Sequence, residues 1–402
     1  MGTIVRNTLR VAAVAAILLM AAGAHAEPLR LGVLTDMASG NSDSAGMGSV
    51  EAARMAAEDT GGSVAGRPVE IVFADHQGKP DVGAGIAREW LGRDGVAAVV
   101  DVPQSAVALA IMPLVEQSDR VALLSGAGAA SISGRACSPN TVQWTFDTYS
   151  IAHGTARALL AEGGNRWFFI SADYTFGQDL ERDAGAAVRD GNGQVLGAVR
   201  APFNTADFSS YLLTASSSGA NVVAFANVAA DTRNSIMQAH EFGLDRGGTK
   251  LAGLLVDVND VRAIGLPAAQ GLYAVQPFYW DRTDASRAWS QRFQARTGRM
   301  PSTIQAGVYS AVRSYLQAVG ATGSDKGSVV VPEMRRTPVR DMFAADGTLR
   351  PDGLMVHEMY LMRAKAPGES RGPWDVFQVM RAIAPDEAFR PLSQSECPRL
   401  PR

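Results

Sequence analysis

The chain has 402 residues, 41 glycines, 19 prolines, two cysteines, 47% hydrophobic and 19% charged residues, and a formal net charge of −3. That composition buries a large core and excludes intrinsic disorder, while two cysteines are too few for a disulfide scaffold. The near-neutral balance lacks the clustered cations that a phosphate backbone requires, which excludes nucleic acid as a partner.

The N-terminus reads as an export signal over residues 1–26. Arg6 and Arg10 form a basic start, Val11 to Ala22 is uninterruptedly apolar, and Ala24-His25-Ala26 is an A-x-A cleavage site ahead of Glu27. The apolar run is short for a membrane span and no second one follows, so an exported, soluble protein is expected, cut after Ala26. Cys137 and Cys397 both survive the cut, and an even pair in an oxidising compartment predicts a Cys137–Cys397 bridge; two thiols that never meet are the alternative.

From Leu29 onward, short β-rich runs alternate with helical segments. Leu29–Leu34 reads as a strand, Gly46–Thr60 as a helix, Val69–Ala74 as a strand, and Pro80 opens a helix to about Leu91. Val96–Val100, a helix over Ser105–Gln117 and the strand Val121–Leu124 follow, then a Gly/Ala/Ser-rich loop from Ser125 to Asn140. The grammar restarts with a strand over Trp167–Ile170, a helix over Gln178–Val188 and a strand over Gln194–Val199. A helix over Asp207–Ser216, the strand Asn221–Ala226, a helix over Asp231–Phe242, and strands Leu251–Leu255 and Leu272–Val275 complete it. Two helices, Ala285–Arg296 and Thr303–Val319, precede a hairpin-like pair, Met355–Lys365 and Trp374–Ile383.

Repeated strand–helix–strand units specify parallel sheets covered on both faces. The fold class is therefore α/β, two doubly wound parallel-sheet lobes joined by a multi-strand hinge, with crossings near Phe146, Pro277 and Leu354. The expected division is a leader over 1–26, a first lobe from 27–146 plus 278–354, a second from 147–277 plus 355–389, and a tail over 390–402. Open α/β lobes bind ligands at the carboxyl ends of their strands, so the cleft between them is the expected site.

Several stretches now carry a resemblance. "LRLGVLTDMASGNSDSAGMGSVEAARMAAED", "VEIVFADHQGKPDVGAGIAREWL", "SADYTFGQDL", "ADFSSYLLTASSSGANVVAF", "QAHEFGL" and "QAGVYSAVRSYLQAV" follow one another in the order found in periplasmic solute-binding proteins of the leucine/isoleucine/valine-binding type. The chain resembles that family from Leu29 to about Phe389. The resemblance implies a type I periplasmic binding fold, a monomer, and a periplasmic receptor that hands a small solute to the membrane permease of an ABC importer by hinge closure. A sensor of the same fold that signals to a receptor or regulator is the alternative, and a secreted enzyme a distant third.

It also implies the ligand contacts. In the first lobe these are Gln104, Ser105 and the backbone at Ala127 and Ala129; in the second, Tyr174, Phe176, Asn227 and Val228, with Asp257 gripping an ammonium. Ala129 stands where the family places a threonine, and no aromatic stands near Ala45. The implied solute is a small carboxylate, either an amino acid, branched-chain or other, or an aromatic acid, with Trp144, Phe146, Tyr149, Tyr279 and Trp280 as further aromatic walls.

No cofactor or metal is expected: C-x-x-C, H-x-x-x-H and G-x-x-x-x-G-K-[ST] are missing from the sequence, and Ser125–Ser131 lacks the third glycine of a dinucleotide fingerprint. Asp75-His76 reads as a solvated loop pair. G-x-S-x-G and H-E-x-x-H are also missing, so catalysis has no positive sign and the chain is not read as an enzyme.

Overall fold

A computed structural model describes residues 26–401; residues 1–25 of the expected leader lie outside them. The first sheet is built by β1 (Leu29–Thr35), α1 (Gly46–Asp59), β2 (Ser63–Val64), β3 (Arg67–Asp75), α2 (Pro80–Gly92), β4 (Val96–Asp101), α3 (Ser105–Gln117), β5 (Val121–Leu124) and β6 (Thr141–Gln143). Its order is β2-β3-β1-β4-β5-β6, parallel throughout except for the β2–β3 hairpin. Every residue of β4 is buried, because its Ala/Val run is covered by helices on both faces.

The second sheet begins with α4 (Thr148–Ala161), β7 (Arg166–Ala172), α5 (Thr175–Asp190), β8 (Gln194–Ala201), α6 (Ser209–Ser217) and β9 (Val222–Ala226). It continues through α7 (Ala229–Glu241), β10 (Lys250–Gly253), α8 (Val258–Ile264), the single turn α9 (Leu266–Ala269) and β11 (Tyr273–Gln276). The chain then returns to the first core, where α10 (Asp284–Thr297), α11 (Thr303–Thr322) and α12 (Gly327–Arg336) bury Trp289, Phe293, Tyr315 and Val330 beside Leu31, Val100 and Trp144. A ribbon of β12 (Thr348–Leu349) and β13 (Met355–Val356) follows. Last, β14 (Met359–Ala364), β15 (Phe377–Ile383) and α13 (Pro385–Ala388) go back to the second sheet, whose order is β15-β14-β11-β10-β9-β7-β8. Its last two strands are antiparallel, and Trp167, Phe168 and Phe169 of β7 are core on its two faces.

The chain thus passes between the sheets three times, after β6, after β11 and between β13 and β14. His357, on the third passage, places Nε2 2.9 Å from the carbonyl oxygen of Thr145 on the first. A disulfide joins Cys137 to Cys397, with Cα atoms 5.6 Å apart. It pins the segment beyond β15 to the loop that follows β5.

Three local expectations are corrected. The stretch expected as one strand from Met355 to Lys365 is divided at His357-Glu358: Met355–Val356 pairs with β12, and only Met359–Ala364 enters the hairpin with β15. Residues 141–161, which gave no element by pattern, hold β6 and α4. His76 is fully buried, not solvated, with Nδ1 accepting the Gly78 N–H at 2.9 Å.

Candidate functional site

The first-lobe wall of the cleft starts where β4 ends. Asp101 and Val102 hold left-handed φ values of 79° and 50°, unusual for non-glycine residues and most of all for a β-branched one. The turn they make carries the chain through Pro103 to Gln104, the residue preceding α3, and to Ser105, its first residue. Gly126 lies against this turn, and a Cβ there would come 2.6 Å from Pro103 Cα, so only glycine permits the approach.

A second first-lobe loop, residues 36–45, is folded on itself and held from outside. The Asp36 carboxylate accepts the Ser39 N–H at 2.9 Å, while Gln305 Nε2 donates to the carbonyls of Asp43 and Ala45 at 3.2 and 3.0 Å. Ser302, which caps α11, donates its hydroxyl to the Ser44 carbonyl at 2.5 Å. Asn41, Asp43 and Ser44 are thereby presented to the cleft.

In the second lobe Tyr174 precedes α5, and its ring meets Phe203 edge-on at 5.7 Å. Burial holds its hydroxyl pKa well above the usual phenol range. Asp257 caps α8: its Oδ1 accepts the N–H groups of Asn259 and Asp260 at 2.7 and 3.2 Å, and Asp260 Oδ2 accepts the Asp257 N–H at 3.1 Å. Arg233 of α7 donates from Nη1 to Asp260 Oδ1 at 2.9 Å. Burial, then the Asp260 charge, push the Asp257 carboxyl well above the carboxylate range; burial also raises Asp260, against the pull of Arg233. At the hinge, Thr303 Oγ1 donates to Gln276 Oε1 at 2.8 Å, and Gln276 Nε2 donates to the Val256 carbonyl.

These groups enclose a cavity of about 140 Å³ between the two sheets. Its apolar surface comes from Pro103, Phe146, Phe176, Val228, Leu255 and Ile304; its polar groups include Gln104, Ser105, Arg233, Asp257, Asn259 and Asp260. Of the residues expected at the site, Gln104, Ser105, Tyr174, Phe176, Val228 and Asp257 line it. Ala127, Ala129 and Asn227 do not. The Ala129 N–H donates to Ser105 Oγ at 3.1 Å, and the carbonyls of Ala127 and Ala129 accept from Gln143 Nε2 at 3.0 and 3.2 Å, so that loop is braced from behind. Asn227 instead bonds Thr232 and Ser235 inside α7, at 2.8 and 3.2 Å. Phe146 is the one member of the expected further aromatic set that lines the cavity: Trp144 is in the first core, Tyr279 packs in the second lobe, Trp280 packs against both cores, and Tyr149 stacks on His153.

Pattern reading missed Asn41, Asp43, Arg233, Asn259, Asp260, Gln276 and Thr303. One signal for Asp260 was present: Asp257-Val258-Asn259-Asp260 has the spacing of a capping box. Among the described residues no group of three or more His, Cys, Asp or Glu side chains is placed to hold a metal, and no helix is long and apolar enough to cross a membrane.

Residues 28–371 match the family model described as periplasmic binding protein. The chain is 29% identical over 263 residues to a Leu/Ile/Val-binding protein homolog from Brucella suis, a match that spans 63% of this chain and 65% of that relative's length. It is 42% identical to a periplasmic binding protein of Burkholderia mallei, covering 93% of this chain and 99% of the other at a TM-score of 0.89. It is also 42% identical to a branched chain amino acid ABC transporter periplasmic ligand-binding protein from Burkholderia xenovorans, covering 92% and 99% at a TM-score of 0.86.

Proposed function

The chain belongs to the periplasmic binding protein family, and on that premise we propose that it is the solute receptor of an ABC importer, taking an amino acid between its lobes. The observation that carries the reading is the pairing across one small cavity of hydroxyl and amide groups on the first lobe with a buried carboxyl, Asp257, on the second. A volume of about 140 Å³ is well under the ~300–1,000 Å³ typical of pockets for drug-sized ligands, which suits a solute of amino-acid size. Ser105, Gln104 and the adjoining N-terminal turn of α3 favour the solute's carboxylate, because free helix N–H groups and the helix dipole attract anions. Asp257 takes the ammonium, and Phe146, Phe176 and Val228 bury an apolar side chain.

In this reading the lobes comprise 27–146 plus 278–354 and 147–277 plus 355–389, and rotate about the three passages. The protein is exported with cleavage after Ala26, works as a monomer, and presents its closed form to a membrane permease.

The test is a titration of mature protein with amino acids and aromatic acids, repeated on Asp257→Asn. An amino-acid ligand should lose about 2–5 kcal/mol of affinity, because its buried ammonium loses a charged partner. Tight binding of an aromatic acid that Asp257→Asn leaves unchanged, with no amino acid bound, would overturn the ligand assignment.

A further inference from the structure

Four charged side chains line the cavity: Asp43, Arg233, Asp257 and Asp260. Two of the three acids already have a cation. Asp43 is paired with Arg299 at 2.5 Å on the outer side of its loop, and Asp260 with Arg233 at 2.9 Å. Among the described residues Asp257 has no ion-pair partner; only backbone N–H groups reach it. The Arg233–Asp260 pair is itself largely enclosed, with side chains 20% and 12% exposed, so solvent screens it poorly.

We infer that Arg233 sets the charge class of the solute: by neutralising Asp260 it leaves Asp257 as the one unmatched charge on the second-lobe wall, so the site selects a single ammonium over two. The inference rests on the amino-acid reading above and deepens it. Asp257 and Asp260 sit one helical turn apart and are locked together by reciprocal capping bonds, so a solute ammonium that reaches one is beside the other. With Arg233 present, a second cationic group on the solute meets a guanidinium, and like charges brought together in an enclosed site are strongly unfavourable. With Arg233 removed, the same place offers an uncompensated carboxylate. Arg233 is therefore a specificity-determining residue that rejects basic solutes without touching the solute's own ammonium, discrimination by repulsion as well as attraction.

The experiment measures the affinities of wild type, Arg233→Gln, Arg233→Lys and Arg233→Gln/Asp260→Asn for leucine, phenylalanine, ornithine and lysine by calorimetry. It is run at about pH 8, above the value of about 7 to which burial raises the Asp257 carboxyl and below that of a lysine-type ammonium. The readout is the ratio of neutral to basic amino-acid affinity. Wild type should favour the neutral pair, and Arg233→Gln should move the ratio by about tenfold or more toward ornithine and lysine. Arg233→Lys keeps the positive charge and should keep the wild-type ratio, and the double variant, which restores a single unmatched carboxylate, should return to it. A ratio unchanged in Arg233→Gln, or shifted equally in the double variant, overturns the inference while leaving the receptor reading in place. Failure of wild type to bind any of the four overturns the amino-acid reading and this inference with it.

Discussion

Asp101 carries two costs at once, a left-handed backbone and a fully buried carboxyl. Both belong to the turn that aims Gln104 and Ser105 at the cavity, and strain of this kind concentrates where a loop must hold a functional geometry. Burial pushes the carboxyl up to about 6, with the Thr35 hydroxyl, 2.7 Å away, pulling it down only in part. In the unfolded chain the group titrates near its ordinary value, about 3.9. The folded state therefore holds its proton more tightly, so this contribution is fully present below about pH 4 and is lost as pH rises to about 6. Above that the buried charge costs on the order of 3 kcal/mol. Asp101→Asn keeps an acceptor for Thr35 and cannot ionise, so its melting temperature relative to wild type should be higher at about pH 8 than at about pH 5. An equal difference at both pH values would show that Asp101 is not held neutral. At this scale the sequence was half legible: Tyr174, Phe176 and Asp257 follow strand ends and are readable as cavity-lining residues, whereas Arg233 and Asp260 sit in helical segments where charge reads as a solvated face.

At the scale of elements, alternation of buried strands and amphipathic helices was legible because β1, β4, β7 and β9 are short apolar runs bounded by turns. Of the helices that were not, α4 and α12 are the two longest. In α4 the run Thr148-Tyr149-Ser150-Ile151-Ala152-His153-Gly154 mixes hydroxyls with a helix-weakening glycine, and the helix depends on tertiary packing, with Gly154 facing Val275 and Ile383. In α12 the Val329-Val330-Val331-Pro332 run has strand-like propensity, overridden because Val330 and Val331 bury into the first core. α11, by contrast, was readable from its long apolar face, and its N-terminus has a second task. Ser302 caps the helix and Gln305 completes the capping box, while both also hold the carbonyls of residues 43–45. Gln305→Ala should therefore weaken solute binding several-fold by freeing the loop that bears Asn41, Asp43 and Ser44. Ser302→Ala should in addition cost about 0.5–2 kcal/mol of stability as a lost cap. Calorimetric titration with thermal melts separates the two effects, and unchanged affinity in Gln305→Ala would mean that the loop does not set the cavity wall.

Across the whole molecule the disulfide joins what the three passages between sheets already connect. The chain leaves the second sheet after β15, buries Phe389 beside His357, and reaches Cys137 at a sequence separation of 260. Arg399 adds a 2.8 Å pair with Glu116 of α3, and Arg135 another with Glu396, but both pairs are exposed and screened by solvent, so they add little. The covalent bond contributes more than either pair. A loop of this length removes about 5 kcal/mol of unfolded-state entropy in the chain-entropy model, an upper bound because native bridges often deliver less. Neither cysteine lines the cavity, and the braced loop 125–129 keeps its bonds to Ser105 and Gln143 whether or not the bridge exists. The double variant Cys137→Ser/Cys397→Ser, or reductant on the wild type, should therefore lower stability by a few kcal/mol in denaturant titrations. The same samples should keep their solute affinity within a few-fold. Loss of binding at unchanged stability would reverse the assignment, making the bridge part of the closing machinery and not a staple of the fold.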